Sequence, residues 1–190
     1  MTIIGKLSVI LEAIKPTPTK EMVAFYKERT DGHVNRVKDN MVNYILKSRI
    51  TGPEAAELKK RGEDHDKSKY LEPEYTPYLW LTEYHRQKNV EGKKFKYPPG
   101  IKVEVDAAVK HHLKNNRHHP AFHKSPSDMS KSDIIEMVCD WAAMSQELAK
   151  ENWKVDLKKW ADDHVGAGKE WNFTKDQTKE IYNIIKVLGE

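Results

Sequence analysis

The stretch Glu63-Asp64-His65-Asp66-Lys67-Ser68-Lys69 is polar throughout and carries an adjacent imidazole and carboxylate at its centre. A short helical pattern precedes it. Thr51-Gly52-Pro53-Glu54 reads as a capping box with proline in the first turn, followed by Leu58 and a stop near Gly62. Another helical start follows it, flanked by Pro73 and Pro77 and continuing through Tyr78, Leu79, Leu81, Tyr84 and His85. In mid-helix or on a strand, adjacent side chains diverge. At a helix end the backbone can turn, so that His65 and Asp66 both reach one ion. A bare His-Asp pair is equally compatible with a solvated loop, so the pair gains meaning only from partners elsewhere in the chain.

Upstream, Pro16-Thr17-Pro18 breaks the chain, and Thr17 is placed to cap a helix with Pro18 at its first position. That helix is expected to run to about Arg49, with Gly32 as a point of interruption and an apolar stripe through Val34, Val37, Met41, Tyr44 and Ile45. His33 precedes Val37 by one turn and so faces inward with the stripe. An inward histidine on its own is as a rule a satisfied core residue. Arg36 lies one turn from His33, within reach of the rim of a site there, although a lone arginine at such a place is usually a surface residue.

Downstream, Asn89 to Gly100 is polar, with Gly92, Pro98, Pro99 and Gly100, and reads as a surface loop. A helix resumes near Ile101 and ends between His112 and Asn115. His112 shares a face with Val105, Ala108 and Val109 and points inward; His111 shares a face with Glu104 and points out. Five of the nine histidines fall between His111 and His123, and the pattern does not separate His118 from His119. Ser130-Lys131-Ser132-Asp133 is a second capping box, opening a helix to about Lys150 with Ile134, Val138, Trp141, Ser145 and Leu148 on one face. Asp140, between Met137 and Met144, sits at the edge of that apolar face. A carboxylate beside a core is costly unless paired or metal-bound, so a salt bridge and a metal are both open. Trp153, Leu157 and Trp160 suggest a short helix, and Thr174-Lys175-Asp176-Gln177 caps a last one carrying Ile181, Ile184, Ile185 and Leu188. Trp80, Trp141 and Tyr44 are candidates for packing. No run of five alternating residues argues for a strand, so the expected class is all-α, a single helical bundle over residues 1–190 with its site within about 20–150 and the helices after 151 as buttress.

His33, then His65-Asp66 thirty-two positions on, then Asp140, resembles the HD superfamily of metal-dependent phosphohydrolases. That resemblance implies an HD-type helical domain in which His33, His65, Asp66 and Asp140 hold a divalent ion. His65-Asp66-Lys67-Ser68-Lys69 is similar to the extended His-Asp-x-Gly-Lys form of the motif. It implies that Lys69 lies near the substrate phosphate; Ser68 stands where glycine is usual. Members with two metals add histidines in the region of His112, His118 and His119, so His112 and His119 become candidates for a second ion, and His112, His118 and His119 for phosphate contact. Some monophosphatases of the superfamily have a glutamate three residues after the doublet aspartate. Lys69 occupies that position here, which weakens that particular assignment, and Glu72 and Glu74 lie further on.

The implied chemistry is attack on phosphorus by a water activated at the metal, giving a hydrolase of the EC 3.1 class. Asp66 would receive the proton, and Lys69, with Arg36 or Arg117, would neutralise charge on the phosphoryl oxygens. Mixed nitrogen and oxygen ligands suit manganese, iron, cobalt, nickel or zinc, as one or two ions. The implied partner is a nucleotide (a deoxynucleotide, a nucleoside triphosphate or a signalling nucleotide) or another phosphorylated small molecule. A di-iron oxygenase on the same fold is an alternative, and so is a helical interaction protein without enzyme activity.

Composition bounds these readings. The chain has 190 residues, 38% hydrophobic and 33% charged, with a formal net charge of +4. The basic residues are scattered, whereas a nucleic-acid binder concentrates them; only Lys93, Lys94 and Lys96 cluster, so nucleic acid is the less favoured partner. No apolar run approaches a membrane span, and Met1 to Ile14 lacks a signal-peptide pattern, so a cytoplasmic protein is expected. The single cysteine, Cys139, lies in an apolar helical pattern and reads as a small buried hydrophobe.

Overall fold

A computed structural model describes residues 16–150, 156–166 and 168–189. Among them are seven α-helices and an isolated bridge between Val165 and Trp171: α1 Lys20–Lys47, α2 Gly52–Asp64, α3 Tyr75–His85, α4 Ile101–Asn115, α5 Lys131–Lys150, α6 Leu157–His164 and α7 Lys175–Leu188. The all-α class expected from the sequence is therefore observed. No helix among the described residues is long and apolar enough to cross a membrane. Trp153 and the segment Met1 to Ile14 lie outside the described residues.

The helix boundaries follow local chemistry, with three departures from expectation. Thr19, not Thr17, caps α1: its hydroxyl accepts from the Met22 amide at 3.2 Å, which leaves Pro18 ahead of the cap. Gly32 does not interrupt α1, because twenty-eight residues of helix are held on both sides by packing; the helix stops at Ser48, where Arg49 turns into the left-handed region at φ 54°. Thr51 is the N-cap of α2 but makes no side-chain cap bond. The other two boxes form. Asp133 Oδ2 accepts from the Ser130 amide at 2.9 Å while the Ser130 hydroxyl accepts from the Asp133 amide. Thr174 and Gln177 exchange the same pair of bonds at the start of α7.

α1 and α5 form the centre of the bundle and pack on each other; α2, α3 and α7 also pack on α1, and α4 packs on α3. The main core joins Val37 and Met41 of α1, Leu58 of α2, Ile134, Ile135 and Val138 of α5, and Ile181, Ile184 and Ile185 of α7. Burying each such side chain contributes about 1.5–3 kcal/mol before entropy is set against it. Cys139 is fully buried in this core, as expected of a small hydrophobe. A smaller cluster of Met22, Trp80, Ile101 and Val105 ties α3 and α4 to the start of α1. Trp141 is only partly buried and stacks on Trp171 with centroids 5.5 Å apart. The helices that carry polar residues inward are thus fixed by apolar contacts on either side of them.

Candidate metal centre

Four chain segments deliver histidines and carboxylates to one buried place. His33 comes from the middle of α1, one turn before buried Val37. His65 caps the C-terminus of α2, and Asp66 follows it in the left-handed conformation, φ 56° and ψ 20°. That region is sparsely populated by non-glycine residues, though aspartate tolerates it. Its effect here is to turn Asp66 back toward the ring of its own neighbour. Asp140 comes from α5, His112 from the last turn of α4, and His118 and His119 from the irregular segment after it.

The distances define two adjoining clusters with Asp66 between them. On one side, His33 Nε2 lies 3.0 Å from Asp140 Oδ1 and 3.7 Å from Asp66 Oδ2, and His65 Nε2 lies 3.6 Å from Asp66 Oδ2 and 3.8 Å from Asp140 Oδ1. On the other side, His112 Nε2 and His118 Nε2 lie 3.3 and 3.6 Å from Asp66 Oδ1. The rings of His118 and His119 have centroids 4.1 Å apart, and that of His119 is 4.9 Å from His112. Within His33, His65 and Asp66, and again within His112, His118 and His119, the ligand atoms all fall within 4.8 Å of one another. Both clusters could hold a metal ion.

The unpartnered atoms point the same way. His33 Nε2, His65 Nε2, Asp66 Oδ1, His118 Nε2 and His119 Nε2 are buried without a hydrogen-bond partner, as is His33 Nδ1. An unsatisfied buried polar group costs about 1–3 kcal/mol, and native structures carry few of them. Outside this centre, the remaining such atom among the described residues is Trp80 Nε1. Orphaned lone pairs gathered at one point are what a cation site without its cation looks like chemically.

Behind the rings stand carboxylates. Glu136 Oε1 is 2.9 Å from His65 Nδ1 and 3.3 Å from His118 Nδ1, and Arg61 donates to its other oxygen at 2.9 Å. Glu74, fully buried, takes His111 Nδ1 at 2.7 Å on one oxygen, and His112 Nδ1 at 2.9 Å and the Ser68 hydroxyl at 2.8 Å on the other. A carboxylate on the far nitrogen fixes the tautomer and turns Nε2 toward the metal. Arg61 and Arg117 in turn both bind buried Asp133, at 2.6 and 3.0 Å. His65, His118 and Glu136 also bring ligand atoms within 4.8 Å of one another, but Glu136 meets the two rings through Nδ1, away from the centre, so this group is support and not a third site.

The electrostatics suit a cation. Burial opposes the ionised form of Asp66, yet Lys69, His65 and His112 hold its carboxyl well below the usual range. Burial likewise opposes charge on Asp140, and His33, His65 and His118 pull it far down. Burial works against a charged His65, but Asp66, Glu136 and Asp140 raise its ring to about 9. His119 goes the other way: burial and the neighbouring His118 push it down to about 3, leaving a neutral imidazole. The acidic centre thus demands positive charge, supplied by protons when no ion is bound.

The sequence candidates fare differently. His33, His65, Asp66 and Asp140 meet as expected, and His112, His118 and His119 all join them, so the choice between His118 and His119 does not arise. His111 is half-exposed and contacts Glu74 rather than the centre. Lys69 lies beside the ligands, its Nζ 2.6 Å from Asp66 Oδ2 and 5.4 Å from the Tyr78 ring centroid. Arg36 reaches the rim but not the ligands: it binds Glu147, which lines the opening beside His33, and donates to the Ala143 carbonyl at 3.2 Å, because the side chain extends along α5 instead of toward Asp66. Arg117 is likewise committed to Asp133. Glu136 went unread in the sequence, although it stands four residues before Asp140 and hence on the same face of α5; Glu74 was noticed without a role.

A family model matches residues 22–187, a span that contains every ligand and every supporting carboxylate of this centre, and its description reads "Family of unknown function (DUF5662)". The chain belongs to the DUF5662 family. No curated protein and no solved structure matches it.

Proposed function

We propose that this DUF5662 chain is a metal-dependent phosphohydrolase of the HD type, holding one divalent transition metal at His33, His65, Asp66 and Asp140 and a second at His112, His118 and His119, with Asp66 shared. The observation that carries the reading is the set of buried, unpartnered Nε2 atoms of His33, His65, His118 and His119 with Asp66 Oδ1, from three segments, gathered beside Asp140 and His112. A non-enzymatic helical protein would leave that set as an uncompensated expense of several buried polar groups.

An ion bound there supplies Lewis acidity and a water of lowered pKa. The chain's own residues do the rest. Lys69 stays charged despite burial, since Asp66, Asp140 and Glu74 raise its pKa; it sits beside the ligand carboxylate, where it can neutralise charge growing on phosphoryl oxygens. Asp66 serves as ligand and bridge and is a poor proton acceptor, given how far Lys69 and the histidines hold it down. Glu136 and Glu74 keep the rings aimed, so little reorganisation is needed when charge develops. Tyr26 fixes the Lys69 segment by donating to the Lys69 carbonyl at 2.6 Å.

The second histidine cluster also suits a pair of irons, which keeps an oxygen-using reaction as the alternative on this same centre. The deciding experiment measures metals in the purified protein by mass spectrometry and follows phosphate release from mono-, di-, tri- and cyclic nucleotides and from small phosphoesters, alongside oxygen uptake. Metal-dependent phosphate release that vanishes in Asp66→Ala supports the proposal. Oxygen uptake with iron and no phosphate release transfers the reading to the oxygenase, and a protein that binds no metal ends both.

A further inference from the structure

Two openings lead to the centre, and they differ in charge and size. One runs between α1, α3 and α5 to His33 and Lys69 and has a volume of about 130 Å³. The other reaches Asp66 and His118 from the side of α2 and the α4 C-terminus and has a volume of about 340 Å³. The second opening is lined by three cations, Lys60, Arg61 and Arg117, which are paired with carboxylates just as Lys69 and Arg29 are in the first. Glu57, Asp64, Asp66 and Glu136 line it as well, so it repels a phosphate. The first opening holds Lys69 and Arg29 against a single carboxylate, Glu147, and is the entrance an anion would take.

That entrance is narrow. Its volume of about 130 Å³ is room for a small molecule only. Sites that enclose drug-sized ligands, the class to which a nucleotide of roughly twenty or more non-hydrogen atoms belongs, run about 300–1,000 Å³. The walls are Tyr26, Tyr78, Leu81 and Met144, and Glu147 at the rim is locked by both Arg29 and Arg36. This wall is therefore built from packed rings and a bonded ion cluster, without a loose lid among its described residues. His85, also in the lining, is held below its usual pKa by burial and by Arg29, so it offers a neutral ring to an uncharged hydrogen-bonding group.

We infer that the substrate of this centre is a compact phosphate monoester smaller than a nucleotide, with its phosphate at Lys69 and a small polar remainder between Tyr26, Tyr78 and His85. This rests on the phosphohydrolase reading and narrows it. The test uses the full chain loaded with manganese, and compares glycerol phosphate with adenosine monophosphate by phosphate release and by calorimetric titration. The expected result is a kcat/KM at least about tenfold higher for glycerol phosphate, a ratio that steric discrimination in a pocket readily reaches. Met144→Ala, which trims a half-exposed wall residue, should narrow that ratio several-fold by admitting the larger ester. Equal or better turnover of adenosine monophosphate by the unaltered protein overturns the inference while leaving the phosphohydrolase reading intact. If neither ester is hydrolysed, the phosphohydrolase reading passes to the wider substrate screen, and the size inference is still decided by the titrations: tighter binding of glycerol phosphate upholds it, and equal or tighter binding of the nucleotide overturns it.

Discussion

The two halves of the metal centre share Asp66 but are built differently. In one, His33 and Asp140 project from the interiors of long helices that face each other across the main core, with Val37 and Val138 fully buried beside them. In the other, His112 lies in the last turn of α4, held by Glu74 and Asn116, and is joined by His118, backed by Glu136, and His119 from an irregular segment. Packing in a core is dense and tolerates little displacement, whereas polar contacts near a helix end open at lower free energy. The difference predicts a tight ion on the His33 side and a weaker one on the His112 side.

The largest test of that asymmetry removes one ligand from each half. Asp140→Ala should eliminate the tight ion and with it phosphate release, while helical content measured by circular dichroism stays near that of the unaltered protein. His119→Ala should lose only the weaker ion, so that metal content halves and activity falls without vanishing. Should Asp140→Ala retain its full metal content, the four-ligand half of the proposal fails; should both substitutions strip both ions, the halves are one cooperative unit and the comparison collapses.

A smaller effect separates the supports. Glu136 touches one ring from each half, whereas Glu74 touches one ring of the second half, His112, together with His111 outside the centre. Loss of such a supporting carboxylate typically weakens metal binding about 10–100-fold. Titration of the metal-free protein should therefore show both ions weakened in Glu136→Gln and only the weaker one in Glu74→Gln. Equal behaviour of the two variants would remove the distinction drawn between them.

Acidity offers a gentler probe. The His65 ring is raised to about 9 and that of His112 is also raised, in each case because carboxylates outweigh burial. At about 9, the His65 ring is protonated at neutral pH when no ion is present, and the raised value of His112 favours its proton too, so a metal must displace protons. Affinity should climb as pH rises from about 6 toward about 9, with proton release measurable in calorimetry across buffers of different ionisation enthalpy. Binding that is indifferent to pH over that window would contradict this account of the charge at His65 and its carboxylates.

Much of this asymmetry governs what the sequence alone could say. Periodicity placed His33, His112 and Asp140 on inward faces, because a helix imposes one face every three to four residues and packing enforces it. The doublet at a helix end was legible because His65 and Asp66 interrupt the pattern. Arg36 is at the rim, as its position one turn from His33 implies, but it is held by Glu147 of α5, a partner that periodicity cannot name because it gives the face of a helix and not the direction of a long side chain. Glu136 was hidden among apolar neighbours: a buried carboxylate is recognisable in a sequence only when its partners are known, and those partners are seventy-odd residues away in His65 and Arg61. Thr17 lost the cap to Thr19 for a local reason, two hydroxyls within one turn competing for the same amides.

The smallest expected effect concerns Ser68, which stands where the extended motif it resembles has glycine. Its hydroxyl donates to Glu74 at 2.8 Å, on the oxygen that also takes His112 Nδ1, and Asn116 donates to it at 3.0 Å. Ser68 is partly buried and does not touch the His33 side. A single such bond is worth about 0.5–1.5 kcal/mol, so Ser68→Gly should loosen the weaker ion by roughly two- to tenfold and leave the tight ion and the melting temperature nearly unchanged. The left-handed turn at Asp66 precedes the substitution and does not depend on it, since its own side chain is fixed by Lys69 at 2.6 Å. If Ser68→Gly weakened both ions equally, the effect would have to pass through Asp66 itself, and the two halves would be coupled through the doublet rather than buttressed separately.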